Sequence, residues 1–181
     1  MLLLRKPRAR SVSFHKLSLR QEAILAAVPE IIMEVDKNKI YTWANRSGLE
    51  FFGKDVIGKE ASLYFEGEQE TYNVVKPLFD GSDDIFYLES WQRRNDGEKR
   101  LLAWWCQVLK DSEGNVAGAL SSARDITERK NLENDILFKQ LLLEAIIENI
   151  PDQVYYKDRN SKFVLCNTPV ALLAGCTSEK D

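Results

Sequence analysis

An internal repeat is the feature that most limits what this chain can fold into. Residues 23–53, AILAAVPEIIMEVDKNKIYTWANRSGLEFFG, align without a gap on residues 145–175, AIIENIPDQVYYKDRNSKFVLCNTPVALLAG, at an offset of 122 residues. The identical pairs include Pro29 and Pro151, Asp36 and Asp158, Asn45 and Asn167, and Gly53 and Gly175. Because such residues form turns and helix ends, we expect one complete unit over residues 17–126. Residues 150–181 are then the truncated start of a second unit.

Within the first unit the pattern predicts a hairpin, then short helices, then three antiparallel strands. The hairpin strands are expected over residues 31–35 and 40–44, with Asn38 at the turn position that tolerates positive φ. Asn45 is the expected N-cap of a helix over 46–52, and a further helix is expected over 66–79. Strands follow over 84–93, 100–109 and 116–124, the last closing the sheet. The fold class is therefore α+β: a five-stranded antiparallel sheet with short helices on one face, an N-terminal helix over 17–28 and a C-terminal linker helix.

The strand over 101–109 is apolar on both of its faces. Side chains alternate along a strand, so Leu102, Trp104, Cys106 and Val108 share one face, and Leu101, Ala103, Trp105 and Leu109 share the other. An antiparallel sheet with one wet face shows polar residues there. We therefore expect the second face to meet the N-terminal helix, a partner chain, or both.

Charge and cysteine content limit the class of protein. Residues 1–20 carry six basic and no acidic side chains, so the remaining chain carries −3 − 6 = −9 charges. This predicts a solvated basic arm over residues 1–16 and argues against a nucleic-acid surface on the acidic folded part; an anion-binding arm is the weaker alternative. Cys106, Cys166 and Cys176 form no CxxC pair, which favours reduced thiols, a cytoplasmic location and no zinc site. No apolar run is long enough to span a membrane.

Two further segments resemble a known family. VDKNKIYTWANRSGLEFFG, residues 35–53, is similar to the opening of a PAS domain, and RRNDGEKRLLAWWCQVLKDSEGNVAGALSSARDITERK, residues 93–130, resembles its PAC segment. The resemblance covers residues 20–130 fully and 145–181 in part. It implies a sensor or dimerisation module of a signal-transduction protein, such as a sensor histidine kinase or a diguanylate cyclase, with an output domain elsewhere in the parent protein.

A long linker helix over residues 127–149 follows the last strand directly. Asp125 can cap it, and Glu128 can complete a capping box. Heptad spacing places Leu132, Ile136, Leu143, Ile146 and Ile150 on one stripe, interrupted by Lys139. This stripe predicts a parallel coiled coil in a homodimer, whereas an amphipathic helix packed on its own domain is the alternative. In the coiled-coil interpretation, Asp125, Ile126 and Thr127 relay changes in the sheet to the helix.

The resemblance also implies a ligand pocket between the sheet and the short helices. Its candidate lining consists of side chains that face inward from the last three strands: Phe86, Leu88, Ser90, Gln92, Leu102, Trp104, Cys106, Ser121 and Ala123. Trp104 favours a filled core without a cofactor, because a large aromatic ring takes up much of the space. A small organic ligand and noncovalent FAD stay open as alternatives.

Two other cofactors are disfavoured by the residues present. A covalent flavin adduct needs a cysteine on the short helices, and residues 55–70 contain none. Haem is most often held by an imidazole, and His15, the single histidine, precedes the domain. No GxGxxG, P-loop, GxSxG or HExxH motif occurs, so we expect no enzyme activity in this chain. A ligand-free dimerisation module is the alternative to a sensor.

Overall fold

The computed structural model describes residues 20, 23–67 and 70–175, which form two compact units divided after Thr127. The first unit contains strands β1 (Ile31–Asp36), β2 (Tyr41–Ala44), β3 (Phe86–Arg93), β4 (Lys99–Lys110) and β5 (Val116–Asp125). Between β2 and β3 lie helix α1 (Arg46–Phe52), two 3-10 turns (Lys54–Val56 and Ala61–Tyr64) and helix α2 (Thr71–Phe79). The α+β class with a five-stranded antiparallel sheet is confirmed. Residues 23–27 are helical, and the other part of the expected N-terminal helix lies mostly outside the described residues.

The strand order is β2-β1-β5-β4-β3, so the last strand lies at the centre of the sheet. The sequence predicted this strand but not its two neighbours: β5 pairs with β1 as well as with β4. Gly118 faces Asp36 in the β1–β5 register, and a Cβ at Gly118 would lie only 1.9 Å from the Val35 carbonyl oxygen. This close approach of two backbones explains why the position holds glycine.

The core lies between the sheet and the short helices. Leu102, Trp104 and Cys106 of β4 pack with Phe52 of α1 and Leu78 of α2 in one buried cluster. On the opposite face of β4, Leu101 and Ala103 form a second cluster with Ile126. The two-face assignment of this strand is thus confirmed. The helix expected over 66–79 begins only at Thr71, because Glu66 is held in the preceding loop by Arg93 and Lys99.

The β1–β2 turn differs from expectation in one detail. Lys39, not Asn38, adopts positive φ, at 66°. The Asp36 carboxylate accepts hydrogen bonds from the backbone N–H groups of Asn38 and Ile40, at 2.8 and 3.0 Å. This arrangement closes the turn and leaves Lys39 at the strained position.

The second unit contains strands β6 (Tyr155–Lys157) and β7 (Phe163–Cys166) and helix α4 (Thr168–Leu173). Helix α3 (Thr127–Asn149) also belongs to this unit, except for its first residue, which belongs to the first unit. The β6–β7 hairpin repeats the local geometry of β1–β2: Asp158 accepts from the N–H groups of Asn160 and Lys162, and Ser161 has φ 65°. Residues 122 positions apart therefore make the same turn contacts.

The two capping asparagines also match. Asn45 Oδ1 accepts the Ile32 N–H at 3.0 Å, and Asn45 Nδ2 donates to the Glu30 carbonyl oxygen at 2.8 Å. Asn167 makes the equivalent bonds to Val154 N–H and the Asp152 carbonyl oxygen, at 3.0 and 2.8 Å. Only Asn45 also accepts a bond from the helix, from Gly48 N–H at 2.9 Å, which confirms it as an N-cap.

Candidate functional site

A cavity of about 70 Å³ lies between the sheet and helix α2. Its walls come from β1, β2, β3, β4 and β5 on one side and from α2 and the preceding loop on the other. The lining is mainly apolar and consists of Met33, Val35, Lys39, Tyr41, Ala61, Phe65, Thr71, Tyr72, Val75, Leu78, Phe79, Leu88, Gln92, Trp104, Cys106, Ala119 and Ser121. About 10–15 Å³ of such volume holds one water, so the cavity has room for about five waters or a molecule of similar size.

The structure brings part of the sequence-based candidate set to this cavity. The five residues that line it are Leu88, Gln92, Trp104, Cys106 and Ser121. The other four do not line it: Phe86, Ser90, Leu102 and Ala123. Ser90, Leu102 and Ala123 are buried on the same face of the sheet, and Phe86 packs at the edge of the core. The alternation of strand residues found the right face but not the position of the cavity along it.

The other lining residues were not among the sequence-based candidates, and Lys39, Tyr72 and Phe79 are three of them. The Lys39 ammonium lies 4.9 Å from the centroid of the Tyr72 ring and 5.2 Å from that of the Phe79 ring. A cation over aromatic faces is held by their quadrupoles. The spacing of Tyr72, Val75 and Phe79 along α2 was a readable signal for an inward face. Lys39 had no such signal, because it belongs to a polar turn.

The polar groups of the cavity are few. Gln92 Nε2 donates to Ser90 Oγ at 2.8 Å, whereas Gln92 Oε1 is buried without a partner, as is Trp104 Nε1. Cys106 faces Ser121 across the β4–β5 ladder. Burial raises the pKa of the Cys106 thiol, and the hydrogen bond with Ser121 offsets this rise in part. Cys106 is therefore a buried, neutral thiol, as expected for a small core residue.

The three candidate relay residues meet the start of β4. The Leu101 N–H donates to Thr127 Oγ1 at 2.8 Å, and the Ile126 N–H donates to the Leu101 carbonyl oxygen at 2.9 Å. Asp125 Oδ1 accepts from the Thr127 hydroxyl at 2.6 Å and from the Thr127 N–H at 2.9 Å. The Asp125 carboxylate thus caps the helix through the backbone N–H and the hydroxyl of Thr127, the first residue of α3. These bonds join the end of β5 and the first residue of α3 to β4.

The outer face of the sheet carries an aromatic surface. Tyr87 and Trp105 are directly opposed in the β3–β4 register, with ring centroids 5.3 Å apart. Both rings are well exposed, and so is Trp91, four residues further along β3 on the same face. We call Tyr87, Trp91 and Trp105 the outer aromatic surface. Exposed aromatic patches of this kind mark interaction sites.

A sequence profile of the PAS domain family matches residues 19–93. This part of the chain is similar to the PAS domain family. None of the curated proteins matches the chain. The PAS fold extends beyond the matched residues, since β4 and β5 complete the sheet that β1, β2 and β3 begin.

Solved structures with the same fold confirm it. The PAS domain of an HTR-like protein from Haloarcula marismortui superposes with a TM-score of 0.54 at 20% identity, covering 65% of this chain and 98% of its own. A PAS domain from Colwellia psychrerythraea gives 0.53 at 19% identity, covering 62% and 98%. An RNA-binding light-oxygen-voltage receptor gives 0.56 at 15% identity, covering 78% of this chain and 41% of its own length.

The cavity does not fit a flavin. Its volume of about 70 Å³ is too small for a three-ring isoalloxazine, and Trp104 stacks on Phe52 with centroids 6.3 Å apart, which fills the adjacent space. His15, the single histidine of the sequence, lies outside the described residues, so the expectation that haem is disfavoured stays a prediction. No group of three His, Cys, Asp or Glu side chains that could hold a metal occurs within the described residues.

Helix α3 carries apolar residues on more than its predicted stripe. Leu132, Ile136, Leu143 and Ile146 of the stripe are exposed, and so are Leu137, Phe138, Leu141 and Leu142 off the stripe. No helix among the described residues is long and apolar enough to cross a bilayer. The exposed apolar set is therefore broader than a simple two-stranded coiled-coil seam requires.

Proposed function

We infer that this chain is a sensory PAS module of a signal-transduction protein, with a sensor histidine kinase or a diguanylate cyclase as the parent. In this role the domain binds a small ligand, or receives a conformational change, and relays it through helix α3. The observation that carries the proposal is the set of hydrogen bonds among Leu101, Asp125, Ile126 and Thr127. They join the sheet that lines the cavity to the first residue of the helix.

The route from cavity to helix is short. Trp104 lines the cavity from β4, three residues after Leu101, and Ser121 lines it from β5, four residues before Asp125. A shift of either strand on filling the cavity changes the geometry of the bonds at Thr127. Packed elements respond to such small shifts by changing between discrete arrangements, which suits a switch.

The active form in this proposal is a cytoplasmic homodimer. Two surfaces support it: the exposed apolar residues of α3 and the outer aromatic surface. A dimer would bury the apolar side chains of both surfaces away from water. Burial of apolar surface is the main source of association free energy. The heptad stripe of α3 suits a parallel pairing of two helices.

Residues 150–181 are proposed to begin a second PAS domain, with 127–149 as the linker between two tandem units. The matched turn and capping contacts of Asp36 with Asp158, and of Asn45 with Asn167, support this division. An output domain then belongs to another part of the parent protein.

The relay is tested by filling the cavity. Ala119→Leu places extra atoms in it, as a ligand would, and hydrogen exchange of the amides in residues 127–140 is followed by mass spectrometry. We expect altered protection in the first turns of α3. Adding Thr127→Val should abolish the response, because it removes the bond from Leu101. Ala61→Val fills the cavity from the opposite wall and serves as a second filling variant.

The matched control is Ala117→Leu. Ala117 lies on the same strand, two residues before Ala119, but it is exposed and does not line the cavity. It should leave exchange in α3 unchanged. A relay is contradicted if both filling variants alter exchange in β4 and β5 while α3 stays as in the wild type.

A ligand-free dimerisation module is the second candidate. The stacking of Trp104 on Phe52 favours it, because this packing fills much of the core without a ligand. Native followed by denaturing mass spectrometry of the purified chain separates the two candidates. A small-molecule adduct lost on denaturation supports a ligand sensor, and a dimer of unmodified mass supports the dimerisation module.

A further inference from the structure

Two buried side chains of the cavity lining each carry a polar atom without a hydrogen-bond partner. The Gln92 side chain is 1% exposed and its Oε1 is unpaired; Trp104 is 6% exposed and its Nε1–H is unpaired. Both residues line the same cavity. An unpaired buried polar atom is costly, so a molecule that pairs with these atoms gains more than apolar contact alone provides.

The chemistry of the two atoms is complementary. Gln92 Nε2 is already bonded to Ser90, which does not line the cavity, so the amide oxygen is the end that stays available. A carbonyl oxygen only accepts, and an indole N–H only donates. A matching molecule therefore has an N–H or O–H for Gln92 and an acceptor for Trp104.

The volume and the other walls fix the size and polarity of that molecule. Met33, Val75 and Leu78 make much of the surface apolar, and the volume of about 70 Å³ admits only a small body. Pockets of this kind bind through apolar contact and use a few polar groups for orientation.

The charge distribution selects a neutral molecule. Among the described lining residues, Lys39 alone is charged, and its ammonium lies over the rings of Tyr72 and Phe79. A carboxylate bound in the cavity next to Gln92 would lose its hydration, which is costly. It could not form a hydrogen bond with Gln92 Oε1, because both groups are acceptors.

We propose that this cavity binds a small neutral molecule with an apolar body, one hydrogen-bond donor paired with Gln92 Oε1 and one acceptor paired with Trp104 Nε1–H. The proposal rests on the proposed sensory function and specifies its ligand class. Flavins and anions are outside this class.

Four five-membered-ring probes test the proposal by NMR on the full ¹⁵N-labelled chain. 2-Pyrrolidinone has a donor and an acceptor, pyrrole has only a donor, cyclopentanone has only an acceptor, and cyclopentanecarboxylate is an anion. The readout is the indole N–H resonance of Trp104, assigned with Trp104→Phe. Small probes bind weakly, so titrations extend into the millimolar range.

We expect 2-pyrrolidinone to shift the Trp104 resonance and to bind about tenfold more tightly than pyrrole or cyclopentanone, as one hydrogen bond in a buried site provides. In Gln92→Met its advantage over cyclopentanone should disappear. The comparison of the four probes on the wild-type chain does not use Gln92→Met, so the test holds even if that variant is unstable.

Three outcomes overturn the ligand class: equal binding of the three neutral probes, tightest binding of the carboxylate, or no shift with any probe, as in a cavity occupied only by water. In each case the filling experiment with Ala119→Leu still reports on the relay. Failure of that experiment, with 2-pyrrolidinone binding as expected, would instead reject the sensory relay and keep the site.

Discussion

The backbone N–H of Leu101 donates a hydrogen bond to the hydroxyl oxygen of Thr127 over 2.8 Å. This bond spans from the beginning of β4 to the first residue of α3, and both partners are buried. The same hydroxyl donates to Asp125 Oδ1 at 2.6 Å, so Thr127 accepts and donates at once. A threonine or serine is the residue type that can do both at this place.

Thr127→Val should destabilise the first unit by about 2 kcal/mol, because the buried Leu101 N–H loses its partner while the side chain keeps its shape. Urea unfolding followed by tryptophan fluorescence measures the change. Thr127→Ser keeps the hydroxyl and should retain most of the wild-type stability. Equal losses for the two variants would show that the methyl group, and not the hydrogen bond, matters.

Asn45→Ala should cost about 3 kcal/mol of unfolding free energy. It leaves the Ile32 and Gly48 N–H groups without their acceptor and removes the donor to Glu30, in a residue that is almost fully buried. Thermal unfolding by circular dichroism gives the comparison. Asn38→Ala, at an exposed turn, is the matched control and should change stability by less than about 0.5 kcal/mol. A similar effect of both substitutions would contradict the capping role.

Glu66 should make stability depend on pH. Its bond with Lys99 at 3.0 Å, aided by Arg93, lowers the pKa of the carboxyl below its ordinary value of 4.5. A lowered folded-state pKa adds stability above the unfolded pKa, and this stability is lost as pH falls through the folded value. The wild type should therefore exceed Glu66→Gln in stability at pH 7, and the difference should vanish in acid.

Urea midpoints of both proteins from neutral pH downwards check this prediction. Glu70→Gln, at an exposed position just before α2, is the control for the loss of one acidic side chain and is measured over the same pH range. A difference between wild type and Glu66→Gln that stays constant into acid would mean that the ion pairs of Glu66 do not stabilise the fold.

Trp105→Glu should weaken dimerisation and leave the fold intact. The side chain is 39% exposed and points away from the core cluster, so a charge there meets water in the monomer but would be buried in a dimer interface. Sedimentation velocity gives the association state. Gln107→Glu introduces the same charge at the next exposed position on that face and should have a smaller effect. Unchanged association of Trp105→Glu would remove the outer aromatic surface from the interface.

Ile136→Glu should also reduce association if the heptad stripe of α3 forms a coiled coil. The glutamate would be buried in the apolar seam, where it would face the same negative charge on the partner helix. Leu137→Glu is the control, since Leu137 is similarly exposed but lies off the stripe. Equal effects in sedimentation would indicate that another face of the helix, such as that of Phe138 and Leu142, mediates the contact.

Local features were predictable from the sequence because their causes lie within a few residues. Asn45 was recognised as a cap, and the strand boundaries fell within a few residues of those observed, since turn and cap chemistry is short-range. The repeat was also readable, and Asp158 and Asn167 make the same contacts as Asp36 and Asn45. Alternation along β4 assigned Trp104 and Trp105 to opposite faces correctly.

The tertiary structure alone decided which strands are neighbours and where the cavity lies. Pairing of β5 with β1 brings together residues more than 80 positions apart, such as Gly118 and Asp36, and no local signal encodes that contact. Lys39 and Tyr72 meet over the cavity for the same reason. The sequence determined the turns, the caps and the inward face of each strand by short-range chemistry. The long-range packing of α2 on the sheet determined which inward side chains surround a cavity and which fill the core.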